Sequence, residues 1–455
     1  MEDSFGKVTS INKREYALHT FSELCDWLEE RKKNQKVSIK RISLDECSPW
    51  YYDNETGQIR NTNGTFFQIA GIRAEYPDKT VIEQPIILQK EIGFLGIICK
   101  KINGNWHFLM QAKIEPGNIN YVQISPTIQA TKSNFTRKHG GKEPPYLRYF
   151  IEMKGEDILV DQIQSEQSSR FMGKRNRNVI IKTNDELAEI SSHRWMTLQQ
   201  LKEFMKFDNL INMDTRTVFS CMPYIFLSEE LEGYSSSYIN SVKTIKKETI
   251  VDIFLNINNY KMFNTPSLSI VPISKLKEWI ISDNEIVNPN GYPFKIIYCG
   301  LEIEGREVTK WNQPLFAAEG DATFGLICAR VDDNIEVLVQ MKPEVGCFDT
   351  IELGPTIQEE YGSKTQRDKV GFLFFEKITE KTKVIDVVLS EEGGRFYHEQ
   401  NRNVILFLDK STIDYDTTKY VWASIGTLNA LTQINNCLNI QLRNLLMLLS
   451  LYNEK

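Results

Sequence analysis

The feature that most constrains this chain is that it contains itself twice. The stretch QPIILQKEIGFLGIICKKINGNWHFLMQAKIEPGNINYVQISPTIQ begins at Gln84, and QPLFAAEGDATFGLICARVDDNIEVLVQMKPEVGCFDTIELGPTIQ begins at Gln313. They align without a gap at an offset of 229, with 15 of 46 positions identical. The same offset pairs Trp50 with Trp279 and Gly71 with Gly300. At 225 it pairs Ser165-Glu166 with Ser390-Glu391, Arg170-Phe171 with Arg395-Phe396, and Asn176-Arg177-Asn178 with Asn401-Arg402-Asn403. At 227 it pairs Trp195 with Trp422, Asn212 with Asn439 and Arg216 with Arg443. The order never changes, so the reading is a duplicated domain, with copies over 1–225 and 226–455.

Each copy carries the same coarse pattern. Phe21, Leu24, Trp27 and Leu28 recur at helical spacing. Phe94 to Lys101, Trp106 to Lys113 and Tyr121 to Ile124 read as strands, with a hairpin turn at Asn103-Gly104. Phe324 to Val331 and Glu336 to Met341 repeat this around Asp332-Asp333. A helix closes each copy, from Thr197 to Phe207 and from Thr427 onward, and Ser235 to Asn264 reads as connection plus lead-in helix. Strands with flanking helices predict an α+β domain.

Charge and cysteine usage narrow the function. With 54 basic and 60 acidic residues the net charge is -6, which disfavours non-specific nucleic-acid binding but not a small anionic ligand. The polar start, Met1-Glu2-Asp3-Ser4, lacks the apolar stretch of a secretory signal, and no segment approaches ~18 apolar residues. The eight cysteines form no C-x-x-C pair and the five histidines no metal-ligand pair. A cytoplasmic protein without a metal, a membrane or a nucleic-acid partner is expected.

Several motifs stand in order in the first copy. They are Gln111-Ala112-Lys113-Ile114-Glu115-Pro116-Gly117-Asn118, then Gln123-Ile124-Ser125-Pro126-Thr127-Ile128-Gln129-Ala130-Thr131-Lys132-Ser133-Asn134. Arg175-Asn176-Arg177-Asn178, Ser191-Ser192-His193-Arg194-Trp195 and Asn212-Met213-Asp214-Thr215-Arg216-Thr217 follow. The series resembles the NDP-hexose 2,3-dehydratase family over nearly the whole chain. The resemblance implies a tandem pair of Nudix-like α+β domains with added helices, and a homodimer. It also implies action on a dTDP-4-keto-6-deoxyhexose, coupled to an NADPH-dependent 3-ketoreductase or an aminotransferase. In the second copy Gln340-Met341-Lys342-Pro343-Glu344-Val345-Gly346-Cys347 loses the Pro-Gly-Asn end and Glu352-Leu353-Gly354-Pro355 lacks the serine. That copy is expected to bind nucleotide without completing the chemistry.

A Nudix-type diphosphate hydrolase is the rival on fold analogy. It needs an R-E-x-x-E-E cluster for metal, whereas Arg306-Glu307-Val308-Thr309-Lys310-Trp311 stops after two residues. A non-catalytic tandem nucleotide-sugar binding module is the second alternative. No G-x-G-x-x-G lies between a strand and a helix, and elimination of water moves no net hydride, so no cofactor is expected.

Elimination across C2–C3 requires a base for the C3 proton, a donor for charge developing at the C4 oxygen, and an acid for the departing C2 hydroxyl. Lys113 and Glu115 alternate at a strand end and suit donor and base, or a structural ion pair; Lys342 and Glu344 repeat them. His139, in a glycine-bearing segment, and Tyr121 are further acid–base candidates, although a lone loop histidine is more often simply exposed. Gln123, Ser125, Thr127 and Gln129 share one face if a single strand continues past Pro126, and with Asn118, Thr131, Ser133 and Asn134 suit sugar hydroxyls. The same polar row also fits a solvent-facing edge strand. Arg170 and Arg177 recur as Arg395 and Arg402, and are expected at the diphosphate with Asn178 and Asn403. Lys174 and Arg175 do not recur and read as a solvated face, while His193 reads as structural.

Overall fold

The computed structural model describes residues 17–64, 66–131, 143–223, 234–304, 308–378 and 383–452. His139, Ser133, Asn134 and the Arg306-Glu307 pair lie outside the described residues.

Two seven-stranded sheets form the frame. The first runs Ile158–Ser165, Arg175–Lys182, Gly93–Ile102, Asn105–Ile114, His193–Thr197, with two short strands branching from it. The second runs Lys383–Ser390, Gln400–Phe407, Ala322–Val331, Asn334–Pro343, with Ile351–Gly354 and Tyr420–Ser424 both on the last. Each contains one parallel pair at the corresponding place, Arg175–Lys182 on Gly93–Ile102 and Gln400–Phe407 on Ala322–Val331. Gln111 and Gln340 occupy corresponding strands, as do Arg177 and Arg402. The central hairpins turn through two left-handed residues, Asn103 and Gly104 in one (φ 52° and 82°), Asp332 and Asp333 in the other (φ 46° and 58°). That is the backbone a two-residue hairpin with right-handed strand twist demands.

Pro126 does bend the chain. Val122–Ser125 pairs with Asn105–Ile114, whereas Ile128–Ala130 pairs with the neighbouring strand Gly93–Ile102. Thr127 sits between them, accepting from Ile98 N at 2.9 Å and donating to Leu109 O. It joins two strands and is not part of a sugar-facing row, and Thr356 makes the same two bonds in the second half.

The smaller sheets do not respect the boundary between the halves. Val37–Ile42 from the first half pairs with Phe294–Ile303 of the second, placing Lys40 opposite Gly300. Ser267–Val271 from the second half pairs with Gln68–Glu75 of the first, placing Val271 opposite Gly71. A division at residue 225 therefore separates each of these strands from its sheet. The principal core is likewise shared, with Val218 and Phe219 in one cluster with Leu445 and Leu446.

Where one closing helix per copy was expected, each half has two short ones: Leu198–Phe204 and Met213–Ser220, then Ile425–Thr432 and Ile440–Leu449. Thr197, Asn212, Ser424 and Asn439 cap them through side-chain oxygens. Met213–Ser220 and Ile440–Leu449 pack together and are wholly buried. Arg216 donates to Ser390 O at 2.9 Å and Arg443 donates to Ser165 O, so each buried guanidinium grips a strand end of the other half. Corresponding residues Phe171 and Phe396 meet edge to face with centroids 5.6 Å apart. Among the described residues no helix is long and apolar enough to cross a membrane.

Candidate active site

Two clusters of polar side chains are buried where the halves meet, and each takes residues from both. In the first, strand Asn105–Ile114 runs into Glu115 and the Pro116-Gly117-Asn118 turn. Lys113 Nζ lies 3.4 Å from Glu115 Oε1, and Gln129 donates to the same oxygen at 2.8 Å. Asn212 donates to Gln129 Oε1 at 3.2 Å and so orients that amide. Glu115 is 2% exposed, yet its Oε2 has no hydrogen-bond partner among the described residues. Asp214, in the first turn of Met213–Ser220, is equally buried and its Oδ1 is also without one. An unsatisfied buried polar atom costs about 1–3 kcal/mol, so two such oxygens in one cluster are candidates for a ligand's donors; Glu344 Oε2 in the second half is left without a partner in the same way.

The opposite wall belongs to the second half. Gly117 N donates to Gly393 O at 2.7 Å, and His398 N donates to Gly117 O at 2.8 Å. A Cβ on Gly117 would lie 1.5 Å from Phe396 O. A Cβ on Gly393 would lie 2.9 Å from Glu115 Cβ and 2.4 Å from Asn118 Oδ1. This contact sets Glu392 beside Glu115, with part of its surface still open. Burial, and next the Glu115 charge, push Glu392 up to about 7. Burial, then Glu166, Glu115 and Glu392, raise Asp214 well above the usual carboxylate range. Cations balance them: Lys113; Lys174, which donates to Glu91 O at 2.7 Å; and Arg395, whose guanidinium lies 4.4 Å over the Phe67 ring.

The second cluster repeats the scaffold with the halves exchanged. Gln358 donates to Glu344 Oε1 at 2.9 Å, Asn439 donates to Gln358 at 2.8 Å, and Gly346 N donates to Ser168 O at 2.9 Å. Its charges differ. Gln441 stands where the first cluster has Asp214, and Gln167 where it has Glu392. Arg170, the counterpart of Arg395, is 3% exposed and paired with Glu360 at 2.9 Å and Glu399 at 3.4 Å. Those carboxylates replace Thr131 and Lys174, so this cluster neutralises its own guanidinium.

Glu352 shows how deeply protonation is built into the interface. It corresponds to Gln123, which donates to Ser390 Oγ at 2.7 Å; Glu352 Oε2 instead accepts from Ser165 Oγ at 2.8 Å. Burial pushes Glu352 up to about 8 from an ordinary 4.5. The folded state then holds a proton that the unfolded chain has released, so its contribution is intact below pH 4.5 and is lost as pH rises towards 8. Glu352→Gln, which copies Gln123, is expected to melt roughly a few degrees above wild type at pH 8.5. The difference should vanish near pH 4.5, and parallel melting curves at both pH values would contradict it.

Of the residues singled out from sequence, the structure brings Lys113, Glu115, Asn118 and Gln129 into the first cluster. Ser125 lies opposite Gln111 at the place of Gly354, where a Cβ would come within 2.8 Å of Lys342 Cβ. Gln123 is buried but spent on the joint between halves. Tyr121 takes a left-handed turn (φ 61°) with its side chain exposed. Arg177 and Arg402, expected at the diphosphate, each make a bidentate pair across their hairpin, with Asp161 and Asp386, and stay partly exposed. Asn178 and Asn403 bond to their own strand, at Asn176 O and Asn401 O. Lys174, read as a solvated face, is instead 8% exposed and inside the cluster, while Arg175 lies 3.8 Å over the Phe348 ring. His193 is buried, with its ring nitrogens bonded to Ser192 Oγ and Thr127 O. Glu392, Asp214 and Glu166 were missed; the clue was that Glu392 and Asp214 face amides, Gln167 and Gln441, in the repeat alignment.

The NDP-hexose 2,3-dehydratase family model matches residues 21–222 and 252–449. A dTDP-4-dehydro-6-deoxy-alpha-D-glucopyranose 2,3-dehydratase from Streptomyces violaceoruber is 35% identical over 92% of this chain and 95% of its own. Proteins of the same name from Saccharopolyspora spinosa and Amycolatopsis orientalis are 35% and 32% identical, over 92% of this chain and 89% and 88% of theirs. With both halves matched and three relatives aligned nearly end to end, the chain belongs to the NDP-hexose 2,3-dehydratase family.

Proposed function

We propose that this enzyme eliminates water across C2–C3 of dTDP-4-keto-6-deoxy-D-glucose to give dTDP-3,4-diketo-2,6-dideoxy-D-glucose. The observation that carries this reading is the Lys113–Glu115 pair, its buried carboxylate with one oxygen left without a partner among the described residues, in a chain aligned over 92% of its length with relatives named for that reaction. Glu115 removes the C3 proton, which the C4 ketone acidifies, and Lys113 donates to the C4 oxygen as charge gathers there. Departure of the C2 hydroxyl as water leaves an enol at C3. The enol takes a proton at C2 and becomes the diketone.

The duplicated Nudix-like architecture is part of the reading, supported by the matched strand orders and the two family-model segments. The second cluster is non-catalytic in it, because amides replace two carboxylates and Arg170 is already neutralised. Cytoplasmic location, supply of the product to a 3-ketoreductase or an aminotransferase, and homodimerisation go with it. Val251, Leu255 and Met262 form an exposed apolar stripe on helix Lys247–Asn264 that a second copy would cover.

The test is incubation with dTDP-4-keto-6-deoxyglucose, trapping the unstable diketone with a 3-ketoreductase and NADPH. A reduced 2,6-dideoxy product is expected, and unchanged substrate would refute the reading. Turnover is expected to survive EDTA and dialysis, since the motifs supply no Nudix-type glutamate set. Loss of activity that one divalent ion restores would show a metal at work.

A further inference from the structure

We propose that Glu392, carried to the first cluster by the second half, is the general acid that protonates the departing C2 hydroxyl. The inference rests on the reaction proposed above and adds the proton donor that reaction requires. Three observations support it. The Gly117–Gly393 contact fixes the Glu392 backbone against the turn that bears Glu115, through a 2.7 Å hydrogen bond. Two buried carboxylate oxygens of this cluster, Glu115 Oε2 and Asp214 Oδ1, have no partner among the described residues; Glu344 Oε2 in the second cluster is left the same way, but an amide, Gln441, stands there in place of Asp214. Glu392 is partly exposed, its Oε1 accepts from Gly394 N at 2.9 Å, and it adjoins Gly393, which meets Asn118 and Glu115, whereas Asp214 lies within the wholly buried helix Met213–Ser220.

The electrostatics agree. Burial, Glu115 and Glu166 raise Glu392, while Arg395 and Lys113 hold it down, and the balance is about 7. A group that titrates near neutrality can both give a proton and take it back. In the step, the C3–H bond breaks towards Glu115 and its electron pair enters the C3–C4 enolate. The pair then forms C2=C3 while the C2–O bond breaks, and the Glu392 proton leaves with the hydroxyl as water. Nothing is oxidised by an outside reagent, and one water is lost. The other half supplies its own control, since the corresponding Gln167 shows that glutamine fits this fold position.

Glu392→Gln separates the possibilities. Turnover of the natural sugar is expected to fall ~100-fold or more, the range of a lost general acid, with the melting temperature near wild type. Exchange of the C3 hydrogen with deuterated solvent should persist, because Glu115 is untouched. A 2-deoxy-2-fluoro analogue should release fluoride at close to the wild-type rate, since fluoride needs no proton to depart. Unchanged turnover of the natural sugar would overturn the proposal, as would equal slowing on both sugars or loss of the C3 exchange. Wild-type enzyme inert to both sugars and without exchange would bring down the substrate reading, and this proposal with it.

Discussion

Glu115→Gln is expected to lower kcat by about three orders of magnitude while leaving the affinity for a dTDP-sugar within a few-fold. The substitution keeps the side chain's shape and its contact with Gln129, and removes only the capacity to accept a proton. Lys113→Met should behave similarly, because its ammonium acts on charge that exists only as the reaction proceeds. Glu344→Gln, at the corresponding place, should leave most activity, since its cluster has Gln441 and Gln167 where the first has Asp214 and Glu392. Steady-state kinetics with the coupled reductase would decide it. Equal losses from Glu115→Gln and Glu344→Gln would mean that both clusters turn over, and an active Glu115→Gln would identify a different base.

Gly117→Ala should be costlier than a methyl group usually is. Its Cβ would fall 1.5 Å from Phe396 O, a backbone atom that cannot step aside without parting the halves. Gly346→Ala meets the matching obstacle, Phe171 O at 1.9 Å. Overpacking of this kind costs about 1–3 kcal/mol or more, so both variants should melt earlier by a similar amount. Activity should separate them. Only Gly117→Ala displaces Glu392 from Glu115, so only it should lose turnover out of proportion to its stability. If both variants lost activity alike, general loosening would explain the loss and the division of labour between the clusters would fall.

How much of this was readable without coordinates depended on the range of the interactions. Local rules located the hairpins, because two left-handed residues in a row leave few sequences to choose from, and Asn103-Gly104 and Asp332-Asp333 are among them. Lys113 and Glu115 were legible because both lie on one short stretch of strand and turn. Recurrence proved an ambiguous guide. Arg177 and Arg402 recur together with their cross-strand partners Asp161 and Asp386, so a reason of fold is by itself enough for the recurrence. Lys174 was misread for the converse reason: it differs from Glu399 because the two clusters differ in charge, not because it faces water. Glu392 was flagged only by its mismatch with Gln167 in the repeat alignment, since no property of its own copy says that it will stand against Glu115. The exchanged strands were hidden for the same reason; alternation announces a strand but not which sheet receives it.

That exchange bears on how the chain is made. The strand Gln68–Glu75, paired on one side with Val81–Leu88, cannot gain its partner on the other until Ser267–Val271 has left the ribosome, almost two hundred residues later. At about 5–20 residues per second, the nascent first half spends some ten seconds or more with an open sheet edge, a template for unwanted pairing. Arg73, which pairs with Glu75 on its own strand and with Glu83 on the neighbouring one, puts charge on that edge during the wait. The chain is thus obliged to complete its beginning last, and a ribosome that stalls before residue 267 releases a fragment that cannot close.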